Sequence, residues 1–496
     1  IATTGSFQAE ISGLDDAFIS KFSRQGQRIW STYYGTSKSD YTYDLSLLNG
    51  TSLVVCGSVS SMSLEVNTHI PSIITVLEVA DTVDWWSSQT SMGFIARFDT
   101  SGAFEWSRIA RPVLPLYQGG GAGNIAVYKN GDIAVVVSHM VLGFGVSWYS
   151  GDGVFLKQVG ISQFYGSTSR TVVDRDNLVI VGSAYFDDPE ITRMITSDAF
   201  QQQFGGGFRD GYLFIIDRDG RSVYGSFVGG AEKDEVWGVV ILEDGGFVFC
   251  GYTESTSGIA SGRFEFEELQ GRRDGFVGYL SGSRVREWSR YVGGEGEEYL
   301  VSVASVPAGG SVLVGSTTST TGIATPDASL GTHVGGEDVA VLLCSDEGTI
   351  TYGSYWGGVG DDIPTASTFA GRTASLNVVG TTGSITGIST STSFQRNYGG
   401  GNGDAFIASF SLVSSTPNAT YDGLVRANNG SAVTQSRTTP FWVDSRCDAV
   451  RFFSVTGETF DLKTINGYVS LLSLPLGVYV VDGGISVPYR VVCIVD

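Results

Sequence analysis

The chain of 496 residues is poor in positive charge. It has 30 Lys and Arg residues against 51 Asp and Glu residues, which gives a formal net charge of −21 at pH 7. Binding to nucleic acid or to an anionic membrane surface needs clusters of Lys and Arg that neutralise phosphates. The shortage therefore argues against nucleic acid and against a membrane surface as partners.

Histidine, cysteine and long apolar runs are scarce as well. Three His and five Cys residues are little material for a zinc site or for a catalyst built on histidine. No apolar run reaches the roughly 18 residues that a membrane-spanning helix needs. No signal peptide is visible and residue 1 is Ile1, which favours a processed or trimmed chain. The sequence thus predicts no metal, no cofactor and no membrane span.

Charged residues of both signs make up only 16% of the chain, against a usual share of about 25%. Glycine accounts for 68 residues, about twice its usual share, and aromatic residues for 12%. This combination is typical of many short strands joined by tight turns rather than of disorder. The surface must consist largely of Ser, Thr, Asn and Gly, a composition that is common in exported β proteins.

One phrase recurs along the chain at a spacing of about 65 residues. It holds a strand that begins Asp-(Ala/Gly)-Phe, a strand ending in Tyr-x-Gly-Gly, a strand after an acidic turn and a strand ending in x-Val-x-Gly. Copies of the Asp-Ala-Phe strand begin at Asp16, Gly93, Val154, Gly211, Asp274, Val339 and Asp404. Four strands make one blade, and a blade must stack on its neighbours because it cannot cover its own apolar faces. The repeats predict an all-β fold, a β-propeller of four-stranded blades.

The number of blades has two candidate values. The Asp-Ala-Phe strand occurs seven times, whereas the other strands of the repeat occur six times. We predict seven blades, with six as the alternative. Seven blades would need a degenerate inner pair of strands, for which residues 423–433 are a candidate.

Residues 16–35 carry the phrase Asp-Ala-Phe-Ile…Gly-x-Arg-x-Trp-Ser-x-Tyr-x-Gly. It resembles the SBBP-type β-propeller repeat, and the resemblance extends over about residues 1–412. That family occurs in secreted and surface proteins, often of the Bacteroidota. The resemblance implies a seven-bladed propeller that is secreted or held at the cell surface.

The repeats stop before the last eighty or so residues. We predict a propeller over residues 1–412, a linker over 413–420 and a small C-terminal β-sandwich over 421–496. The run Leu-Pro-Leu-Gly-Val-Tyr-Val at 474–480 resembles the C-terminal sorting domains of type IX secretion cargo. That resemblance implies contact with secretion machinery, and a generic accessory sandwich is the alternative.

Four acidic residues recur five positions after the first glycine of the Tyr-x-Gly strand. They are Asp40, Asp234, Glu298 and Asp362. A ring of carboxylates at one rim could bind cations, or a cationic or carbohydrate partner. The alternative is that these side chains shape the turn into the next strand.

An insertion at residues 59–91 has no counterpart in the other repeats, and it contains Trp85 and Trp86. Long insertions in regular folds often carry function, and exposed apolar patches often mark a partner surface. We predict a partner contact at these tryptophans. The alternative is that the insertion folds onto its own blade.

The cysteines divide into two groups. Cys56, Cys250 and Cys344 lie inside strands, where cysteine usually behaves as a small buried hydrophobe. Cys447 and Cys493 lie in the predicted C-terminal domain and could form one disulfide there, which would fit an exported protein.

No catalytic motif is present, with neither a His-Glu-x-x-His sequence nor a nucleophile elbow. We therefore expect an exported, non-enzymatic propeller that binds a protein or glycan at the cell surface, as a binding, adhesion or assembly module. A structural subunit of a surface filament or large secretion-associated complex is one alternative. A carbohydrate-active enzyme that uses the rim carboxylates is the other.

Overall fold

The computed structural model describes residues 1–59, 92–110, 121–139, 143–162, 166–185, 188–307, 309–370, 375–391 and 393–411, with the backbone of seven short strands beyond residue 432. The chain divides into two compact units. The first contains Ile1–Ser305, Ser311–Phe369 and Leu376–Phe410, and the second contains Val306–Gly310, Ala370–Ser375 and Ser411–Asp496. Among the described residues, no helix is long and apolar enough to cross a bilayer.

The first unit is a propeller that begins with a small sheet. That sheet pairs β1 (Ala17–Phe22) with β2 (Arg28–Tyr34). Blade 1 consists of β3 (Asp40–Leu48), β4 (Ser52–Val59), β5 (Met92–Asp99) and β6 (Phe104–Ile109). Blade 2 consists of β7 (Gly121–Val127), β8 (Ile133–His139), β9 (Gly143–Tyr149) and β10 (Phe155–Ser162). Blade 3 consists of β11 (Gly166–Asp174), β12 (Asn177–Tyr185), β13 (Arg209–Ile216) and β14 (Ser222–Val228).

Three further blades follow in chain order. Blade 4 consists of β15 (Asp234–Ile241), β16 (Phe247–Thr253), β17 (Asp274–Leu280) and β18 (Arg286–Val292). Blade 5 consists of β19 (Glu298–Ser305), β20 (Ser311–Thr317), β21 (Asp338–Cys344) and β22 (Ile350–Trp356). Blade 6 has three described strands, β23 (Asp362–Ala370), β24 (Ser375–Thr382) and β25 (Asp404–Ser411). Each blade is an antiparallel meander whose first strand is the inner one.

The prediction of an all-β propeller of four-stranded blades is confirmed. The described residues contain six inner strands and thus six blades, which is the lower of the two predicted counts. Of residues 423–433, the candidate for a seventh inner pair, all but Val433 lie outside the described residues, and Val433 begins β26 of the second unit. The predicted copy of the third strand at Val154 is wrong, because β9 (Gly143–Tyr149) holds that place and Val154 lies in the turn before β10.

Central strands are apolar on both faces because each blade is covered by a neighbour on either side. Every residue of β20 is buried, for example, and so is every residue of β16. The hairpin between β19 and β20 turns at Gly309 and Gly310, whose φ angles are 104° and 77°. Such left-handed backbone favours glycine, which is the role the sequence predicted for these turns.

Two tryptophans, one in β2 and one in β18, donate hydrogen bonds to the blade that follows. The indole of Trp288 in β18 donates a hydrogen bond to the carbonyl of Asp346 in blade 5 at 3.0 Å. Trp30 of β2 donates in the same way to Thr100 of blade 1 at 3.1 Å. Both rings are buried. These aromatic rings therefore pack between neighbouring blades.

One short helix, α1 (Pro189–Met194), lies in the connection between β12 and β13. Asp188 caps it, because its side chain accepts a hydrogen bond from the Glu190 N–H at 2.8 Å. Pro189 fills the first helical position, where no intrahelical N–H bond is needed. The other connections between second and third strands wrap around the blades without an α-helix in the described ranges.

The second unit holds two small sheets. The larger has the order β26 (Val433–Ser436), β32 (Arg490–Val495), β31 (Gly477–Asp482), β28 (Ala449–Ser454) and β29 (Thr459–Lys463). The smaller pairs β27 (Phe441–Trp442) with β30 (Tyr468–Val469). Residues 413–420 lie outside the described residues, so the predicted linker and the domain limits stay predictions.

Phe276 should be essential for the packing between blades. Its ring is fully buried in β17, against blade 3. Phe276→Ala should lower the free energy of unfolding of the propeller by about 3–5 kcal/mol, because the cavity it leaves cannot fully collapse. Urea unfolding followed by tryptophan fluorescence measures this. Phe266→Ala, at an exposed ring, is the matched control, and equal unfolding midpoints for the two variants would contradict the expectation.

Candidate functional site

The predicted rim carboxylates lie at the heads of inner strands, where they are buried. Asp234 accepts hydrogen bonds from the Gly230 N–H at 2.6 Å and from the Ser255 hydroxyl at 2.8 Å. The hydroxyl of Thr253, at the end of the second strand, donates to its other oxygen. These bonds tie the Gly-Gly turn, the inner strand and the second strand of one blade together.

The other three blades repeat the arrangement. Glu298 accepts from the Gly294 N–H at 3.0 Å and from the Thr317 hydroxyl at 2.7 Å. Asp362 accepts from the Gly358 N–H at 2.7 Å, and Asp40 accepts from the Thr36 hydroxyl at 2.9 Å. All four carboxyl groups are buried. The hydrogen bonds given above lie within the turns, and contact with a partner at these residues stays a prediction.

A second carboxylate, which sequence reasoning did not single out as a site, faces each of these four. A methyl group on Gly229 would lie 2.6 Å from Asp210 Oδ1 and 2.9 Å from Asp234 Oδ2, so only glycine fits between the two carboxyl groups. The same juxtaposition recurs around the glycines that precede the other inner strands. The pairs are Asp16 with Asp40, Asp274 with Glu298 and Asp338 with Asp362. The Asp of the Asp-(Ala/Gly)-Phe strand was the signal that could have revealed them.

Burial of two carboxyl groups side by side favours their neutral forms. Burial raises the pKa of Asp210 to about 8, and the charge of Asp234 adds to this rise. Burial likewise raises the pKa of Asp234 to about 6, although several hydrogen bonds act in the opposite direction. Asp210 Oδ1 has no hydrogen-bond partner in the described residues, as suits a carboxyl group that keeps a proton. The Asp210 carboxyl group therefore keeps its proton at neutral pH.

The other predicted site residues are not placed by the structure. Trp85, Trp86 and Cys447 lie outside the described residues. Cys493 lies in β32, of which only the backbone is described, so the disulfide with Cys447 stays a prediction. Cys56, Cys250 and Cys344 are buried free thiols, which agrees with their interpretation as small core residues.

A groove of about 460 Å³ opens between blade 4 and blade 5. Its wall on blade 4 comes from the connection that leads into β17 and from β18, and its wall on blade 5 comes from β21 and β22. Residues lining it include Phe266, Glu267, Arg290, Tyr291, Leu342 and Ile350. The groove thus combines apolar walls with a few polar groups, as binding sites for small ligands or single side chains commonly do.

Glu267 and Arg290 form the polar centre of this groove. Arg290 Nη2 lies 2.8 Å from Glu267 Oε1, and Arg290 Nη1 donates to the Gly348 carbonyl at 3.1 Å. The guanidinium also lies over the ring of Phe264, at 4.6 Å from its centroid. Burial raises the pKa of Glu267 in spite of the arginine. Its second oxygen, Oε2, is buried without a hydrogen-bond partner in the described residues.

Phe266 stands at the edge of the groove with 87% of its surface exposed. An aromatic ring in this position offers a flat apolar face for stacking, while its neighbours offer charge. Sequence reasoning did not find this site. The signal was the run Glu-Phe-Glu-Glu at residues 265–268, which has no counterpart in the connections of the other repeats.

No protein-family model matches the sequence, and no curated protein matches it. Among solved structures, the WD40 domain of Neurospora crassa Pan2 is similar at 9% identity and a TM-score of 0.34, over 59% of this chain and 69% of that one. A protein of unknown function from Bacteroides caccae is similar at 10% identity and a TM-score of 0.31, over 58% and 80%. U3-55K is similar at 10% identity and a TM-score of 0.33, over 74% and 94%. The SBBP resemblance therefore stays an interpretation of the repeats.

The carboxylate pairs should make the propeller less stable as pH rises. The pKa of Asp210 is about 8 in the folded protein and about 4 in an unfolded chain. The unfolded chain therefore releases its proton first, and the free energy of unfolding falls between about pH 4 and pH 8. Asp210→Asn should flatten this dependence and raise the melting temperature at pH 8 relative to the original protein. Thermal melts by circular dichroism at half-unit pH steps measure it.

Asp152→Asn is the matched control, because the Asp152 side chain is 92% exposed. It should leave the pH dependence unchanged. A melting temperature that rises from pH 5 to pH 8 in the original protein would contradict the expectation, and so would an undiminished slope in Asp210→Asn.

Proposed function

We propose that this protein is an exported, non-enzymatic β-propeller that binds a protein or glycan at the cell surface, as an adhesion or assembly module. The observation that carries the proposal is the exposed ring of Phe266 beside the groove between blades 4 and 5. Keeping a phenyl ring in water gives up the free energy that its burial would contribute to folding. A surface that holds such a ring next to a charged groove is suited to recognition.

The chemistry of the groove limits the kinds of partner. Phe266 offers stacking, Glu267 offers a carboxyl group on a side chain that is 30% exposed, and Leu342 with Ile350 offer apolar contact. A sugar ring fits these demands, with one face on the phenyl ring and a hydroxyl donating to the carboxyl group. A Trp or Tyr side chain of a protein partner fits them as well, since its N–H or O–H can donate in the same place. Both belong to the partner classes that the sequence predicts.

The proposal of export rests on composition and on two resemblances. Low charge with a surface of Ser, Thr, Asn and Gly, the SBBP-like repeat and the motif at residues 474–480 favour a secreted or surface protein. In this proposal the propeller binds outside the cell, and the C-terminal domain meets the secretion machinery. The contact predicted at Trp85 and Trp86 belongs to the same proposal as a second partner surface.

Phe266→Ala should abolish most of the binding. A printed glycan array and a panel of immobilised extracellular glycoproteins are the probes, and biolayer interferometry then gives the Kd for each hit. Loss of the stacking face should weaken binding by at least about tenfold, which corresponds to about 1.4 kcal/mol. Phe208→Ala, which removes a half-exposed ring elsewhere on the propeller, should leave the Kd unchanged. Equal affinities of the Phe266→Ala and Phe208→Ala variants would show that the binding site does not lie in this groove.

The raised pKa of Glu267 favours one second candidate, a carbohydrate-active enzyme. A carboxyl group whose pKa is raised is better suited to act as a general acid toward a glycosidic oxygen. If so, Glu267→Gln should lower kcat on chromogenic glycosides by about 100-fold or more while the variant still binds substrate. Glu265→Gln, two residues away, is the control. We expect neither variant to differ from the original protein, because the proposal is binding without turnover.

A further inference from the structure

Arginine side chains of this protein repeatedly lie on phenyl rings. The guanidinium of Arg28 lies over Phe394 at 4.3 Å from the ring centroid, and that of Arg286 lies over Phe200 at 4.6 Å. Such contacts combine the attraction of a cation to the π face with flat stacking of the planar guanidinium. The chain therefore already uses phenyl rings to hold arginine.

The connection that leads into β17 contains one of these contacts with a carboxylate beside it. The guanidinium of Arg290 lies over Phe264 at 4.6 Å from the centroid, and its Nη2 lies 2.8 Å from Glu267 Oε1. Phe264 and Glu267 are three residues apart in the chain. A phenyl ring and a carboxylate of this run thus form one complete arginine site, and its arginine comes from the same blade.

A second ring and a second carboxylate follow in the same run without an arginine. Phe266 is 87% exposed, and within the described residues no cation lies on its ring. The nearby guanidinium of Arg263 lies over Phe264 instead, at 5.3 Å. Glu268 lines the groove together with Phe266, and neither it nor the exposed Glu265 has an ion pair in the described part of the chain. The groove therefore offers a phenyl face and free carboxylates to a ligand.

The charges around the groove favour a cationic ligand. Its described lining contains three acidic side chains and one basic side chain, namely Glu267, Glu268, Asp274 and Arg290. Arg290 is neutralised by its ion pair with Glu267. Burial raises the pKa of Asp274, which favours the neutral form of that carboxyl group. The carboxylate of Glu268 is therefore the charge that a ligand meets, and its sign selects a cation.

We propose that this groove binds an arginine side chain from a basic segment of a protein partner. The guanidinium stacks on Phe266 and donates hydrogen bonds to Glu268. Its aliphatic stem packs on the apolar wall at Leu342 and Ile350. The net charge of −21 attracts such a segment from solution. This inference rests on the proposed binding function and narrows it to one class of partner.

The probe is the peptide acetyl-Gly-Arg-Gly-amide, which is titrated into the full chain and followed by saturation-transfer difference NMR. Saturable transfer to the Cδ protons of the arginine is expected. The same peptide with citrulline keeps the shape of the side chain without its charge, and it should bind about tenfold more weakly. The same peptide with lysine should bind about threefold more weakly, because an ammonium group cannot stack flat on a ring.

Two substitutions separate the stacking face from the charge. Phe266→Leu keeps an apolar side chain but removes the π face, and Glu268→Gln removes the charge. Each should weaken binding of the arginine peptide by about threefold, and both together by about tenfold. Phe208→Leu and Glu10→Gln make the same changes at exposed residues elsewhere and should leave the Kd unchanged. Phe266→Leu and Glu268→Gln change exposed residues, so their melting temperatures should equal that of the original protein.

Three results distinguish a failure of this inference from a failure of the proposed function. A glycan whose binding depends on Phe266, with no saturable binding of the arginine peptide up to about 10 mM, would overturn the inference and leave the proposed function standing. Equal affinities for the arginine and citrulline peptides, or of Glu268→Gln and Glu10→Gln for the arginine peptide, would overturn the inference in the same way. No binding of the arginine peptide, together with no Phe266-dependent hit among the glycans and glycoproteins, would overturn both.

Discussion

Four of the junctions around the propeller depend on a carboxyl group that is buried at the head of an inner strand. In blade 4, Asp234 holds the Gly-Gly turn through a backbone N–H and holds the second strand through two hydroxyl groups. The glycine before it, Gly229, leaves room for a second carboxyl group from the third strand of the preceding blade. Because the two carboxyl groups are buried close together, the pKa of Asp210 is raised. A glycine between two carboxyl groups recurs at four junctions. Packing of tryptophans on neighbouring hairpins then follows from that geometry.

Surface features that suit the binding of a partner occur in segments that differ from the repeat. The connection that leads into β17 carries an acidic run that includes Phe266. The ring of Phe266 is 87% exposed and lies beside the groove. The sector of β1 and β2 departs in another way, since it lacks an inner pair in the described residues. Residues that recur in the repeats stabilise the packing of the blades. Residues outside the repeat pattern are less constrained by packing and can instead bind a partner.

The fold could be predicted from sequence because its signals are periodic. Repeats of about 65 residues, Gly-rich hairpins and apolar runs such as Val312–Val314 all point to stacked blades. The error at Val154 arose where blade 2 lacks the Asp that marks the third strand, so that apolar pattern alone could not separate β9 from β10. The burial of Asp40, Asp234, Glu298 and Asp362 could not be predicted, since an acidic residue in a turn is exposed unless other segments of the chain close over it. The groove escaped prediction because its residues come from separate segments of the chain, and Glu267 meets Arg290 only in the folded blade.

The sector that contains β1 and β2 also affects how the ring resists disruption. A propeller closed by complete blades has no ends, so each blade is supported from both sides. Here the described contacts across that sector involve the outer strands, while the inner strands of blades 1 and 6 each lack a neighbour on one face. Each repeat of such a protein is stabilised largely by the interfaces with its neighbours. Within the described residues, blades 1 and 6 therefore have less of this stabilisation than blades 2 to 5.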